Sequence, residues 1–153
     1  MPFTVTGLSP DPFIPLYGLT DAELAEHRAL RVVADGPGFP ERIELRDAEP
    51  GETLLLVNYE HQPADTPFRS SYAVYVREGA TEPQSADGLP EVLRRRLLSL
   101  RAFTADGMLV DGDVTEGSTA EPLIERMLAD KSVAYIHAHA ARYGCYLARI
   151  DRS

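Results

Sequence analysis

Residues 53–59 read TLLLVNY, and this short run decides the fold class. Leucine and valine occupy both faces of the run, which is typical of a strand in the interior of a sheet. A loop bounded by Pro63 and Pro67 follows, and the sequence YAVYV at residues 72–76 predicts a second strand. The two runs predict a sheet at the centre of the structure.

Further strands and a few short helices surround these runs. Few helices alternate with the strands, so antiparallel pairing is favoured over a doubly wound parallel sheet. The predicted fold is α+β: one domain over residues 1–153, with a curved, mostly antiparallel sheet of about eight strands flanked by about three short helices. The other strands are predicted over residues 29–34, around Ile43 and Leu45, and over 98–104, 108–115, 133–139 and 145–150; the helices are predicted over 19–28, 89–96 and 118–130.

Local signals mark where several of these elements begin and turn. Thr20 followed by Glu23 is a capping-box sequence, and Ser118 followed by Glu121 predicts a second helix start of the same kind. The dipeptide at residues 106–107, Asp-Gly, is typical of a tight hairpin turn between two strands. The last helix, residues 118–130, is predicted to be the best defined of the three.

Composition and charge exclude several classes of protein. The 153 residues carry a formal net charge of −9, whereas nucleic-acid binding needs a basic face. No stretch approaches the roughly 18 apolar residues of a membrane-spanning helix, and residues 1–8 lack the features of a signal peptide. A soluble, cytoplasmic protein without nucleic-acid or membrane partners is predicted. Cys145 is the single cysteine, which excludes an internal disulfide.

His137, His139 and Cys145 are the candidate catalytic residues. Side chains two positions apart on a strand point to the same face, so the two imidazoles are placed to converge on one ion or ligand. Cys145 falls on the returning strand, where a thiol and an imidazole would form a nucleophile–base pair. The favoured interpretation is a hydrogen-bonded histidine pair and a buried, unreactive thiol with no cation beside it. No metal is predicted, and His137 and His139 are the weak candidates for one.

The proline-bounded loop supplies the candidate ligand-binding residues. Arg69 lies beside Ser70 and Ser71, and a guanidinium with two hydroxyls suits a carboxylate or a phosphate. His61 and Arg42 complete the candidate set. Arg69 is predicted to be the main charged contact of a small anionic ligand, because a chain of net charge −9 needs a local cationic group to hold an anion.

Two ion pairs are the alternative to this binding role. Arg69 is equally suited to pair with one of the many acidic residues, and Arg42 is expected to form a structural ion pair with Asp47 across a turn. Sequence motifs for phosphate loops, dinucleotide binding, zinc proteases, serine hydrolases and CxxC redox sites are absent.

Ordered blocks of the sequence resemble one protein family. They are PGFP at residues 37–40, LRDA at 45–48, PFRSS at 67–71, and the ending HAH at 137–139 with GCYLAR at 144–149. The chain resembles the bacterial domain of unknown function 1203 family over nearly its whole length. Two positions depart from the family pattern. Glu41 stands where a cysteine often precedes Arg42, and Ala140 stands where an asparagine commonly follows the second histidine. The resemblance implies a fold and transfers no catalytic residue.

Two functional classes follow from the sequence. The first is a small-molecule binding or catalytic domain whose pocket collects histidine, arginine and Cys145 and takes an anionic ligand. The second is a non-enzymatic interaction or scaffold domain. The sequence does not decide whether the protein is an enzyme, names no cofactor, and leaves a homodimer open.

Overall fold

The computed structural model describes residues 2–153, and over that range it confirms the α+β class. The strands form two sheets, one of six strands and one of five, where the sequence predicted a single sheet of about eight. Three α-helices flank the sheets, as predicted. The bounds are β1 Phe3–Thr6, α1 Asp21–Glu26, β2 Leu30–Val33, β3 Pro40–Glu41, β4 Arg46–Asp47, β5 Thr53–Gln62, β6 Ser70–Arg77, β7 Ser85–Asp87, α2 Glu91–Arg94, β8 Leu97–Phe103, β9 Leu109–Glu116, α3 Glu121–Ala129, β10 Tyr135–Ala140 and β11 Tyr146–Arg152, with short 3-10 helices at Ile14–Leu16 and Gly117–Thr119.

Neighbouring strands are almost all antiparallel. The six-stranded sheet has the order β7-β1-β11-β10-β8-β9, and the five-stranded sheet has the order β2-β5-β6-β3-β4. The pair β3–β6 is parallel, with Glu41 beside Tyr75. The predicted run at residues 53–59 lies within β5, which is an interior strand of its sheet, between β2 and β6. The predicted hairpin around residues 106–107 is β8–β9.

The main core lies on one face of the six-stranded sheet. Ala138 on β10 stands opposite Leu100 on β8 and Ala148 on β11, and all three are buried. Helices α2 and α3 belong to the same core cluster, which includes Ile124 and Met127 of α3. Because side chains alternate along a strand, the residues on either side of Ala138 face away from this core.

The strand predicted around Ile43 and Leu45 does not form. These residues belong to the turn between β3 and β4, and Leu45 has a left-handed φ of 55°. The turn is stabilised from inside, because the carboxylate of Glu41 accepts hydrogen bonds from the amides of Ile43 and Glu44. The alternating apolar residues here are buried in a turn and do not form a strand.

The helix starts differ in how they form. The capping box at Thr20 and Glu23 is present, with both reciprocal hydrogen bonds made. Ser118 does not cap α3: it lies in the preceding 3-10 helix, and the cap position is Ala120, which offers no side-chain bond. A serine three residues before a glutamate is therefore not sufficient when a short 3-10 turn intervenes.

Candidate functional site

The polar face of the six-stranded sheet is the first place where candidate residues meet. His137 stands opposite Arg101 on β8 and Arg149 on β11, and His139 stands opposite Ser99 and Tyr146. This face lies opposite the helical core, so both histidines point toward the five-stranded sheet. The prediction that they share one strand face is confirmed by this register.

His61 reaches the same place from the other sheet. Its ring lies 5.0 Å from that of His139 and 6.3 Å from that of His137, measured between ring centroids, and it stacks on Tyr146 at 5.5 Å. We call His61, His137 and His139 the imidazole cluster. Its members come from β5 and β10, so it exists only because the two sheets pack together.

Burial keeps the imidazole cluster uncharged at neutral pH. Burial lowers the pKa of His137 to about 3, and the neighbouring His139, His61, Arg149 and Arg101 act in the same direction. Burial also lowers the pKa of His139 to about 3, although its bond to Gly144 opposes the shift. For His61, burial and then the charge of Arg101 lower the pKa.

The hydrogen bonding of the imidazole cluster is incomplete. Nδ1 of His139 donates to the carbonyl of Gly144 over 2.9 Å, which fixes its tautomer. The Nδ1 atoms of His61 and His137 are buried without a hydrogen-bond partner among the described residues. A cavity of about 420 Å³ adjoins both rings and also reaches Tyr135. Within residues 2–153, no group of three or more His, Cys, Asp or Glu side chains is arranged to hold a metal ion.

Arg42 is the second centre of interest, because it is a charged side chain that is only 2% exposed. Its Nε donates to the carbonyl of Tyr146 over 2.8 Å, and its Nη1 donates to the carbonyl of Pro40. No oxygen acceptor of residues 2–153 is bonded to its Nη2, and no carboxylate in that range forms a salt bridge with it. Burial lowers the pKa of the Arg42 guanidinium, and the nearby Cys145 thiol acts in the opposite direction.

A cleft of about 730 Å³ opens beside Arg42. We call it the Arg42 cleft. The five-stranded sheet contributes Tyr72 and Ala73 to its lining, and the turn between β10 and β11 contributes Tyr143 and Cys145. The wall is mainly apolar and aromatic. The other lining residues are Asp35, Pro37, Gly38, Phe39, Pro40, Leu56, Tyr75, Arg96 and Ala140.

Cys145 differs from its predicted environment. It is half-buried rather than buried, it lines the Arg42 cleft, and a cation does lie beside it. The Cys145 thiol lies close enough to the guanidinium of Arg42 to raise the pKa of Arg42, in opposition to burial. Arg42 is distant from residue 145 in the sequence, and the packing of the two sheets brings it there. The premise for an inert thiol is therefore wrong.

The predicted ion pair of Arg42 with Asp47 is also wrong. Asp47 pairs instead with Arg96 and, at 3.3 Å, with Arg95. Arg94 in turn pairs with Glu121 over 3.0 Å. Arg94, Arg95 and Arg96 are thus offset by acidic residues, and Arg42 has no carboxylate partner among residues 2–153.

The Arg69 group lies at a different place. Its Nε donates to Glu60 over 3.0 Å on the exposed end of the β5–β6 hairpin, and the same carboxylate raises the pKa of Arg69. Ser70 donates to the main-chain carbonyl of Phe68, and Ser71 is exposed. The structure brings His61 to His137 and His139, and Arg42 to Cys145, but it does not bring Arg69 into the Arg42 cleft.

Several lining residues were not identified from the sequence. They are Phe39, Tyr72, Tyr75 and Tyr143. The signal that distinguishes Tyr143 and Tyr72 is their exposure of 80% and 49%, and exposure depends on the tertiary packing.

The comparisons with known proteins give one match. The model of the family described as "Protein of unknown function (DUF1203)" matches residues 38–152. No curated protein and no solved structure matches the chain. Among the helices of residues 2–153, none has both the length and the apolar character needed to span a lipid bilayer.

Proposed function

Because the chain belongs to the DUF1203 family of proteins of unknown function, we propose a function from its geometry: the Arg42 cleft binds a small organic anion through the guanidinium of Arg42. The proposal keeps the class of ligand expected from the sequence and assigns the main charged contact to Arg42 in place of Arg69.

The observation that carries the proposal is a buried cation without a carboxylate partner among residues 2–153. Removing a charge from water costs several kcal/mol unless a partner compensates it. Arg42 is 2% exposed, and its described partners are two main-chain carbonyls and a neighbouring thiol. A carboxylate or phosphate on a ligand would supply the missing negative charge, with charge-assisted bonds worth about 1.5–3 kcal/mol.

The size and lining of the cleft support a small organic molecule. Ligand pockets typically enclose about 300–1,000 Å³ and combine an apolar wall with a few polar groups. The Arg42 cleft encloses about 730 Å³, with aromatic side chains around Arg42. Its second arginine, Arg96, is already paired with Asp47. The available positive charge is therefore concentrated at Arg42.

Arg69 is the less suitable arginine on physical grounds. It already binds Glu60 through two nitrogens on an exposed surface, where water and salt screen a charge. An anion would have to compete with that carboxylate. Arg69 and Arg42 are nevertheless easy to distinguish by experiment, because only Arg42 lines the cleft.

The test uses pairs of small ligands that differ only in charge, for example carboxylates and their carboxamides. We expect ligand-observed NMR to detect the carboxylate of a pair and to find at least about tenfold weaker binding of the carboxamide. Arg42→Lys should weaken carboxylate binding by a similar factor, because a lysine ammonium cannot reproduce the planar fork of donors. Arg69→Ala should leave binding unchanged. Loss of binding in Arg69→Ala with retention in Arg42→Lys would contradict the proposal.

A second pair of variants removes the cleft and leaves Arg42 in place. Ala73 lines the cleft on β6, and Ser71 lies two residues away on the same strand, exposed and outside the lining. Ala73→Phe should abolish carboxylate binding, whereas Ser71→Phe should retain it. If no carboxylate of a broad set binds the parent protein, the alternative of a non-enzymatic interaction domain is favoured.

A further inference from the structure

We propose that the anion is an aromatic acid, whose ring packs against Tyr72 and Tyr143 while its acid group binds Arg42; this inference rests on the proposed function. It names the class of ligand and assigns two further residues to its recognition.

The first step is the exposure of two tyrosines at the cleft. Tyr143, in the turn between β10 and β11, is 80% exposed, and Tyr72 on β6 is 49% exposed. Neither ring lies against another aromatic side chain of the described residues. Both nevertheless line the Arg42 cleft. Large exposed aromatic side chains at a concave site are typical of binding surfaces.

The second step is their position relative to Arg42. Tyr72 belongs to the five-stranded sheet, and Tyr143 belongs to a turn of the six-stranded sheet, so the two sides of the cleft each contribute one ring. Deeper in the cleft, Phe39 and Tyr75 pack together with their ring centroids 5.3 Å apart. The cleft therefore offers aromatic surface on several sides and one uncompensated cation.

The third step concerns the shape of a suitable ligand. An inorganic anion would satisfy Arg42 and leave the aromatic lining without a contact. An aliphatic acid would bury apolar surface but would not gain from ring packing. Aromatic rings stack offset or edge-to-face with a preference that exceeds the area they bury. A planar ring carrying a carboxylate matches both features of the site.

The experiment compares aromatic acids with alicyclic acids of the same size, such as benzoate with cyclohexanecarboxylate. The saturated ring is the more hydrophobic, so apolar burial alone favours cyclohexanecarboxylate. We expect the parent protein to bind the aromatic acid about threefold to tenfold more tightly. Tyr143→Leu and Tyr72→Leu should remove this preference, and Tyr143→Phe and Tyr72→Phe should retain it.

The outcomes separate this inference from the proposed function. Equal binding of the two acids, or a preference that survives in both leucine variants, overturns the aromatic inference and leaves the anion site intact. Equal binding of benzoate and benzamide overturns the proposed function. Absence of binding by both acids overturns the aromatic inference, and absence of binding by every carboxylate of the broad set overturns the proposed function as well. Because Tyr72 and Tyr143 are so exposed, the leucine variants are expected to fold, which thermal unfolding checks.

Discussion

Arg42 and Tyr146 join the two halves of the structure: Nε of Arg42 donates a 2.8 Å hydrogen bond to the main-chain carbonyl of Tyr146, 104 residues along the chain. The ring of Tyr146 meanwhile packs against His61, His137 and His139. One residue thus separates the Arg42 cleft from the imidazole cluster. The two candidate sites are neighbours that share the start of β11.

Acid should destabilise the protein through the imidazole cluster. The pKa values of His137 and His139 are lowered from 6.5 to about 3 in the folded state. Between pH 3 and pH 6.5 the unfolded chain binds more protons than the folded chain. The contribution of these two histidines to stability is therefore fully present above pH 6.5 and is lost as the pH falls. Two such groups give a slope of about 2.7 kcal/mol per pH unit near pH 5. Urea unfolding at several pH values measures it.

Replacement of one histidine should reduce this slope. His137 makes no hydrogen bond to the described residues through Nδ1, so His137→Phe removes a titrating group and loses no bond there. We expect a slope lower by about 1.4 kcal/mol per pH unit, with stability at pH 7 equal or higher. His27→Gln is the control, because His27 is exposed at the end of α1. An unchanged slope in His137→Phe would show that other groups cause the acid sensitivity.

Gly117 should tolerate no side chain. A Cβ there would lie 1.9 Å from the carbonyl oxygen of Leu93 and 2.8 Å from that of Arg96, both main-chain atoms. Gly117→Ala should therefore cost more than about 2 kcal/mol of unfolding free energy, because the close approach of α2 would be lost. Gly36→Ala is the matched control, since nothing lies within 4 Å of its Cβ position. Similar stability of the two variants in urea would refute this packing.

Replacement of Arg28 by glycine should stabilise the protein. It has a left-handed φ of 55° and an exposed side chain at the end of the first helix. A left-handed conformation costs a non-glycine residue about 1–2 kcal/mol. Glycine avoids this cost but loses more backbone entropy on folding, which offsets part of the gain. Arg28→Gly is expected to raise the unfolding free energy by about 0.5–1 kcal/mol. Ala25→Gly, inside the same helix, should lower it by a similar amount, and the same sign for both would contradict the assignment.

The fold class was predictable because it depends on local patterns. The run at residues 53–59, the Asp-Gly turn and the capping box at Thr20 each appear in the structure. The division into two sheets was not predictable, because it depends on which strands pair across long separations. The turn at Ile43 and Leu45 was not predicted, because its alternating apolar residues resemble a strand. The turn depends on hydrogen bonds to the buried carboxylate of Glu41, which the local pattern does not reveal.

The site was predictable only as a set of residue types. Strand periodicity placed His137 and His139 on one face correctly. No local pattern indicated that His61 would join them, or that Arg42 would stand beside Cys145, since each contact crosses between the sheets. Arg69 appeared favourable beside two serines, but its partner Glu60 lies nine residues earlier on the opposite strand of the hairpin. Such partners follow from tertiary structure alone.

The most direct test of the central claim uses Cys145, the single cysteine, as a reporter inside the Arg42 cleft. The experiment measures how fast Cys145 is labelled by two aromatic disulfides, the anionic disulfide of thionitrobenzoic acid and the neutral dithiodipyridine. Both rates are measured in the folded and in the urea-unfolded protein. We expect folding to raise the ratio of anionic to neutral rates, and Ala73→Phe but not Ser71→Phe to abolish the increase. The net charge of −9 alone would lower that ratio. A ratio that falls on folding in the parent protein would contradict an anion site at Arg42.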